Sequence, residues 1–245
     1  MAVMGPGYAG KGPARKHLPR PAGGLYARPM IPTALLDLDG TLVDSAPDLH
    51  AALDRLMAAR GLPPFALAEV VAMIGDGARV LVERALAARG RPFNPAALDE
   101  FLADYTANAA VLTRPFPGIP EALDALAAAG WRLAVCTNKP ERATRELLGA
   151  LGLSGRFAAV GGGDTYPVRK PDPGHLLATL RDAGGDPARA VMVGDHRNDV
   201  RAASGAGVPC VFAAWGYGPL EMAENAAIAR SPAELPALLS RLLRA

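Results

Sequence analysis

The fold is decided by the stretch Ala34-Leu35-Leu36-Asp37-Leu38-Asp39, in which an apolar run ends in two carboxylates. Further apolar runs of this kind occupy residues 132–138, 158–161, 190–195 and 210–214. Stretches whose apolar residues have helical spacing lie at 118–129, 141–151, 173–183, 198–206 and 233–243. Near-continuous apolar strands separated by helices are typical of a parallel sheet covered on both faces. The sequence therefore predicts an α/β fold with a Rossmann-like, doubly wound parallel sheet.

One interval breaks the alternation of strands and helices. Between Asp44 and Phe116 no strand pattern is found, and apolar residues recur instead at helical spacing. Turn signals such as Gly61-Leu62-Pro63-Pro64 and Asn94-Pro95 separate the helical segments. We therefore expect an all-helical cap domain over residues 46–115, inserted into an α/β core formed by 31–45 and 116–245.

The start of the chain differs from the rest in composition. Residues 1–36 hold five basic side chains and no acidic one, so subtracting these five charges from the net +2 leaves the remainder at −3. We expect residues 1–30 to be a flexible basic tail, or the product of a mis-assigned start if Met30 is the true first residue. A mildly acidic body does not indicate a nucleic-acid-binding protein.

The apolar runs and the cysteines indicate in which compartment the protein is expected. No apolar run approaches the roughly 20 residues that span a bilayer, so no membrane association is expected. The two cysteines, Cys136 and Cys210, lie in strand-like runs and are expected to be buried thiols in the reducing cytoplasm. The sequence does not indicate an oligomeric state.

Polar residues fall at the ends of several predicted strands. Asp37 and Asp39 end the first, Thr137 and Asn138 end the second, and Asp195 ends the fourth. Lys170 follows the third strand, after a loop. In open parallel sheets the ligand lies at the carboxyl ends of the strands. Because buried carboxylates need a compensating cation and oxygen ligands suit Mg²⁺, the pattern predicts a magnesium site at this edge.

Four ordered motifs carry a resemblance to a known family. Residues 37–45 closely resemble the first motif of haloacid-dehalogenase-superfamily phosphatases, and 137–138, 170–173 and 194–199 resemble the second, third and fourth. The resemblance implies that Asp37 attacks phosphorus to form an aspartyl phosphate, which water then hydrolyses.

The resemblance also implies roles for the other strand-end residues. Asp39 would protonate the leaving oxygen and later activate water, and its presence favours phosphoryl transfer over dehalogenation. Thr137 and Asn138 would bind phosphoryl oxygens through hydroxyl and backbone N–H groups. Lys170 would neutralise charge on the nucleophile and the phosphate.

The implied metal is Mg²⁺, held by Asp195, by Asp37 and by the backbone carbonyl of Asp39. Asp199 would orient Lys170 or a metal-bound water. In the cap, Arg79 is a candidate substrate contact, although a solvated turn residue is an equally good interpretation. Two other residues are expected to be structural, with Ser45 capping the first cap helix and Asp44 bracing the hinge.

The substrate is the least determined part of the prediction. The Thr137-Asn138-Lys139-Pro140 segment and the helical cap resemble most the bacterial phosphoglycolate phosphatases, which implies hydrolysis of a small phosphorylated metabolite, 2-phosphoglycolate. The alternatives are a phosphatase for pyrophosphate or a sugar phosphate, a phosphoglucomutase, and, in a different class, a catalytically silent binding module. The last is disfavoured because nucleophile, acid, lysine and metal-binding aspartate are all present.

Overall fold

The structure is a computed structural model that describes residues 1–2 and 31–244. Most of the tail expected at 1–30 therefore lies outside the described residues. The strands, in chain order, are β1 (Thr33–Leu36), β2 (Val43–Asp44), β3 (Arg114–Pro115), β4 (Arg132–Cys136), β5 (Ala159–Gly161), β6 (Ala190–Gly194), β7 (Cys210–Ala213) and β8 (Ala227–Ala229). The helices are α1 (Ala46–Ala58), α2 (Leu67–Val71), α3 (Ala78–Ala88), α4 (Pro95–Asn108), α5 (Ile119–Ala128), α6 (Glu141–Ala150), α7 (Pro173–Asp182), α8 (Arg197–Gly205) and α9 (Leu235–Leu242).

Six strands form one parallel sheet in the order β5-β4-β1-β6-β7-β8. The five predicted strands are all present, and the five predicted helices agree with α5–α9 to within two residues at each end. The predicted α/β class and doubly wound sheet are confirmed. The edge strand β8 escapes prediction because its three residues are too few for a pattern, and Ile228 at its centre is exposed.

Side chains on both faces of the sheet are buried. Leu36 packs with α5 and α9 on one face, whereas its neighbour Leu35 packs with α7 and α8 on the other. Alternate residues of a strand point to opposite faces, so a strand between two helical layers needs apolar residues at every position. This requirement explains the unbroken apolar runs in the sequence.

The four helices α1–α4 pack around a hydrophobic cluster of their own. Its members include Leu53, Met57, Val82, Leu86 and Phe101, all almost fully buried. The expectation that no strand lies between residues 44 and 116 is wrong at one point, because β3 pairs antiparallel with β2. This short ribbon joins the two chain segments that lead into and out of the helices.

Two side chains, the half-buried Tyr217 and the buried Asp48, hold the entry to α1 in place. The Tyr217 hydroxyl donates to Asp44 Oδ1 at 2.8 Å and accepts from the backbone N–H groups of Ser45 and Ala46 at 2.7 and 2.9 Å. The Asp48 carboxylate accepts from the N–H and the hydroxyl of Thr113 at 2.8 and 2.7 Å. These contacts agree with the bracing role expected for Asp44.

Within 1–2 and 31–244, no helix has both the length and the apolar character needed to cross a bilayer.

Candidate active site

A buried ammonium group lies among carboxylates at the carboxyl end of the sheet. Lys170 Nζ lies 3.0 Å from Asp37 Oδ1 and 2.5 Å from Asp199 Oδ1, and it donates to the Cys136 carbonyl at 2.6 Å. Asp195 completes the group, because its carboxylate oxygen lies within 4.8 Å of those of Asp37 and Asp199. All these side chains are buried. Four of the residues predicted from the sequence therefore meet in one place.

The sheet explains why these residues meet. β1 and β6 are neighbours, and the Asp37 N–H continues their ladder by donating to the Val193 carbonyl at 2.9 Å. Asp37 and Asp195 thus leave adjacent strands at the same edge. Lys170 is placed by the start of α7, where the Asp172 carboxylate caps the helix by accepting from the Gly174 N–H at 2.8 Å.

Two glycines make the close packing possible. Gly40 has φ +84°, and a Cβ there would lie 2.2 Å from Asp195 Oδ2. A Cβ at Gly194 would lie 2.2 Å from the carboxyl carbon of Asp199. Such approaches are far below van der Waals contact, so only glycine leaves room for these carboxylates at the ends of β1 and β6.

The charges in this group do not balance. Asp37, Asp195 and Asp199 can carry three negative charges, against the single positive charge of Lys170. Burial, together with the negative charges of Asp37 and Asp199, raises the pKa of Asp195 to about 7. Burial opposes the charge on Lys170, but Asp199 and Asp37 outweigh it and raise its pKa.

An unbalanced set of buried carboxylates suits a divalent cation. Asp195 is fixed for such a role, since its oxygens accept from the Thr41 hydroxyl and the Tyr217 N–H, both at 2.8 Å. Oxygen donors with two surplus negative charges match the preference of Mg²⁺. The residues present therefore fit magnesium.

Asp39 is held from two sides. Its Oδ1 accepts from the Ser45 hydroxyl at 2.6 Å, and Lys139 Nζ lies 3.0 and 3.2 Å from its two oxygens. The predicted capping role of Ser45 is wrong, because its side chain makes no cap hydrogen bond to α1 and serves Asp39 instead.

Thr137 and Asn138 lie beside this group and are both buried. Asn138 Nδ2 donates to the Lys170 carbonyl at 3.0 Å and to the Gly75 carbonyl at 3.1 Å. Its Oδ1 is buried without a hydrogen-bond partner within the described part of the chain. The backbone N–H of Thr137 donates to the Gly161 carbonyl at 2.9 Å. Its hydroxyl accepts from the Lys139 N–H at 3.2 Å, which leaves the hydroxyl hydrogen for an acceptor such as a phosphoryl oxygen.

The helical insert covers the site. Asn198 Nδ2 donates to Asp76 Oδ1 at 2.7 Å and to the Gly75 carbonyl at 3.3 Å. Gly75 has φ +121°, and a Cβ there would lie 2.5 Å from the His196 ring. The segment before α3 is therefore packed directly on the core at the mouth of the site.

The cavity between the helical insert and the core is small. It offers about 40 Å³ to the centres of water molecules. Its lining combines the site residues Asp37, Asp39, Thr137, Asn138 and Lys139 with Leu49, Ile74, Gly75, Gly77, Ala78, Leu81, Phe101, Leu102, Tyr105, Pro140 and Ala143. Arg79 is not part of this lining, and its guanidinium lies 4.8 Å from the centre of the Phe93 ring. The structure does not bring Arg79 into the cavity.

Two side chains that line the cavity beside Asp39, Lys139 and Tyr105, are not among the site residues predicted from the sequence. Lys139 Nζ donates to the Tyr105 hydroxyl at 2.6 Å and so joins the insert to Asp39. The sequence does carry a signal for Lys139, which directly follows Thr137 and Asn138. A lysine at the end of a buried strand is costly to bury and therefore indicates a charged partner in the site. Tyr105 gave no signal, because it fits the helical spacing of core residues in α4.

Comparisons with known proteins agree with this geometry. The family model of haloacid dehalogenase-like hydrolases matches residues 31–207. A phosphoglycolate phosphatase of Agrobacterium fabrum is 44% identical over 226 residues, which cover 89% of this chain and 97% of that protein. The crystal structure of a predicted phosphoglycolate phosphatase from Haemophilus somnus matches with a TM-score of 0.78 at 30% identity, covering 85% of this chain and 97% of that one. CbbY from Rhodobacter sphaeroides, in complex with xylulose-(1,5)bisphosphate, matches with a TM-score of 0.71 at 27% identity, covering 84% and 96%.

Proposed function

The chain belongs to the haloacid dehalogenase-like hydrolase family, and we propose that it is a magnesium-dependent phosphatase that hydrolyses 2-phosphoglycolate to glycolate and phosphate. The observation that carries the proposal is the position of Asp37, paired with Lys170 at the floor of a small covered cavity that Asp39 also lines. The relative from Agrobacterium fabrum named phosphoglycolate phosphatase supports this choice of substrate.

In the first step, an oxygen of Asp37 attacks phosphorus, and the bond from phosphorus to the ester oxygen breaks. Lys170 holds the attacking carboxylate in place from 3.0 Å and offsets the charge of the phosphoryl group. The Thr137 hydroxyl lies at the same edge and is available to a phosphoryl oxygen. The product of this step is an acyl phosphate on Asp37, which divides one difficult displacement into two easier ones.

Asp39 handles the protons of both steps. As an acid it gives a proton to the departing glycolate oxygen, and as a base it then takes a proton from the water that hydrolyses the acyl phosphate. The Ser45 hydroxyl and Lys139 fix the orientation of its carboxylate. A fixed carboxylate loses little entropy when the transition state forms.

Asp37, Asp195 and the backbone carbonyl of Asp39 are the proposed ligands of the magnesium ion. When bound, the ion offsets negative charge on the phosphoryl group. Asp199 keeps Lys170 in place from 2.5 Å and stands outside this ligand set.

We interpret residues 46–115 as a cap domain that closes over the α/β core of 31–45 and 116–245. The contacts of Asn138 and Asn198 with the insert correspond to the closed arrangement. Closure excludes bulk water from the acyl phosphate and restricts the site to small esters. With both cysteines present as free thiols, we place the enzyme in the cytoplasm.

Substrate choice is tested by measuring phosphate release with Mg²⁺ from 2-phosphoglycolate, pyrophosphate, glucose-1-phosphate and other sugar phosphates. We expect kcat/KM for 2-phosphoglycolate to exceed every other value by roughly tenfold or more. A sugar phosphate or bisphosphate with the highest kcat/KM would contradict the proposal. Sugar phosphates are included in the panel because the structural neighbour CbbY was crystallised with a sugar bisphosphate.

Magnesium is expected to stabilise the fold as well as to support catalysis. Removal of Mg²⁺ with a chelator should abolish turnover, and its return should restore it. An ion that binds only the folded state adds about 2.7 kcal/mol to the unfolding free energy at 100 times its dissociation constant. The melting temperature should therefore rise with Mg²⁺ concentration. In Asp195→Asn the rise should be lost or shifted to much higher Mg²⁺. A magnesium-independent melting temperature in the unaltered protein would count against the site.

A further inference from the structure

Lys139 occupies an unusual environment for a lysine. Its side chain is only 4% exposed, and Nζ touches the Asp39 carboxylate and the Tyr105 hydroxyl, 4.2 Å from the centre of the Tyr105 ring. Among the residues that line the cavity in the described structure, it is the sole lysine or arginine. Lys170 lies deeper, committed to Asp37 and Asp199. The part of the cavity above the nucleophile therefore has a single cationic side chain.

The surroundings of this cation are largely apolar. Leu49, Leu81, Phe101 and Leu102, from helices of the insert, line the same cavity. A charge in such surroundings is poorly hydrated and interacts more strongly with an opposite charge than it would at the surface. A neutral group placed there would gain little, whereas an anionic group would meet a positioned donor.

The position of Lys139 relative to Asp39 defines which anion it can meet. Asp39 must approach the leaving oxygen of the ester in order to protonate it. In the phosphate ester of an α-hydroxy acid, the carboxylate is attached to the very carbon that carries this oxygen. An ammonium group 3.0 Å from the Asp39 carboxylate is therefore close to where the substrate carboxylate must lie.

We propose that Lys139 is the specificity-determining residue of this enzyme and binds the carboxylate of a small α-hydroxy-acid phosphate, assisted by the Tyr105 hydroxyl. The inference rests on the proposed phosphatase function and adds the group that recognises the substrate. Lys139, which contacts Asp39, shares its N–H donors with the substrate carboxylate when the ester binds. An ammonium group has three donors, enough for Asp39, Tyr105 and one substrate oxygen.

The test compares two substrates that differ mainly in the carboxylate, 2-phosphoglycolate and 2-hydroxyethyl phosphate. For each, kcat/KM is measured in the unaltered enzyme and in Lys139→Met, which keeps an unbranched side chain one atom shorter and removes the charge. We expect the ratio of the two kcat/KM values to fall by roughly 30-fold or more in the variant, as for the loss of one partner of a buried charge pair. Lys139→Arg keeps the positive charge and should retain more of the preference than Lys139→Met.

The ratio separates recognition from support of Asp39. If Lys139 acts only by positioning Asp39 or by holding the insert, both substrates lose activity equally and the ratio stays unchanged, which would overturn the inference. If Lys139→Met does not fold, the ratio is compared between Lys139→Arg and the unaltered enzyme. An unaltered enzyme without preference for the carboxylate substrate also overturns the inference. A preference for some ester without a carboxylate would overturn the proposed function itself. A clear preference for 2-phosphoglycolate with an unchanged ratio in the variant would overturn only the role of Lys139.

Discussion

Asp37→Asn is expected to lower kcat by about 10⁵-fold while leaving the protein folded. The amide cannot replace the carboxylate as a nucleophile, and removal of a covalent nucleophile typically costs this order of rate. The substituted side chain has almost the same shape, so the strand end and its hydrogen bond to Val193 are retained. Phosphate release and the melting temperature are the two measurements to make on this variant.

The stability of Asp37→Asn has a predictable sign. The change removes one of three buried carboxylates that share a single ammonium group, and Lys170 keeps its contacts with Asp199 and the Cys136 carbonyl. In metal-free buffer the melting temperature should therefore equal or exceed that of the unaltered protein. Retention of more than a small fraction of kcat in a folded Asp37→Asn variant would mean that Asp37 is not the nucleophile.

Lys170→Met is expected to damage both rate and stability. Loss of one electrostatic partner of the transition state should reduce kcat by roughly 10²- to 10³-fold. The same change leaves the Asp37 and Asp199 carboxylates buried without their cation, which typically costs about 3–5 kcal/mol of unfolding free energy. Chemical denaturation with and without Mg²⁺ measures this loss, and Mg²⁺ should recover part of it.

Arg142→Met is the matched control for Lys170→Met. Arg142 pairs with Glu146 on the surface of α6, and its side chain is 84% exposed. Removal of this cation should leave kcat and the denaturation midpoint near those of the unaltered protein. Equal effects of the two substitutions on stability would contradict the claim that Lys170 compensates buried charge.

The expected stabilities distinguish the two variants, because Asp37→Asn should keep or raise the melting temperature and Lys170→Met should lower stability. Asp37→Asn removes a negative charge from an electronegative cluster. Lys170→Met removes the one positive side chain that touches this cluster within residues 31–244. A simple loss of packing would lower stability in both. The pair of measurements therefore tests the electrostatic arrangement of the site separately from its chemistry.

The α/β core was predictable from the sequence because its physical causes are local. Strands buried on both faces are apolar along their length. In β1, β4 and β6 every residue is apolar or glycine except Thr33 and Arg132, which begin β1 and β4. The carboxyl ends of such strands lie at one edge of the sheet, so the sequence predicts that Asp37, Thr137 and Asp195 lie close together. In the structure these three residues follow β1, β4 and β6 at the same edge of the sheet.

The parts of the site that depend on the insert were harder to predict. Lys139 interacts with Tyr105, 34 positions away in the chain. No local pattern indicates that an aromatic residue of α4 faces the core of another part of the molecule. Ser45 shows the same limit in a different form, because a serine before a helix is usually a cap and only the fold places it beside Asp39. The charge of Arg79 makes it a candidate substrate contact, but its position in the first turn of α3 places its guanidinium over the Phe93 ring.

The central claim is that phosphate passes through a covalent bond to Asp37, and mass spectrometry of the quenched enzyme tests it most directly. The enzyme is mixed with excess 2-phosphoglycolate and Mg²⁺, quenched in acid during turnover, and digested with pepsin at low pH. We predict one phosphoryl group on the peptide that contains Asp37, and no phosphorylated peptide from Asp37→Asn treated in the same way. A phosphoryl group on another residue, or turnover without any covalent intermediate, would contradict the account.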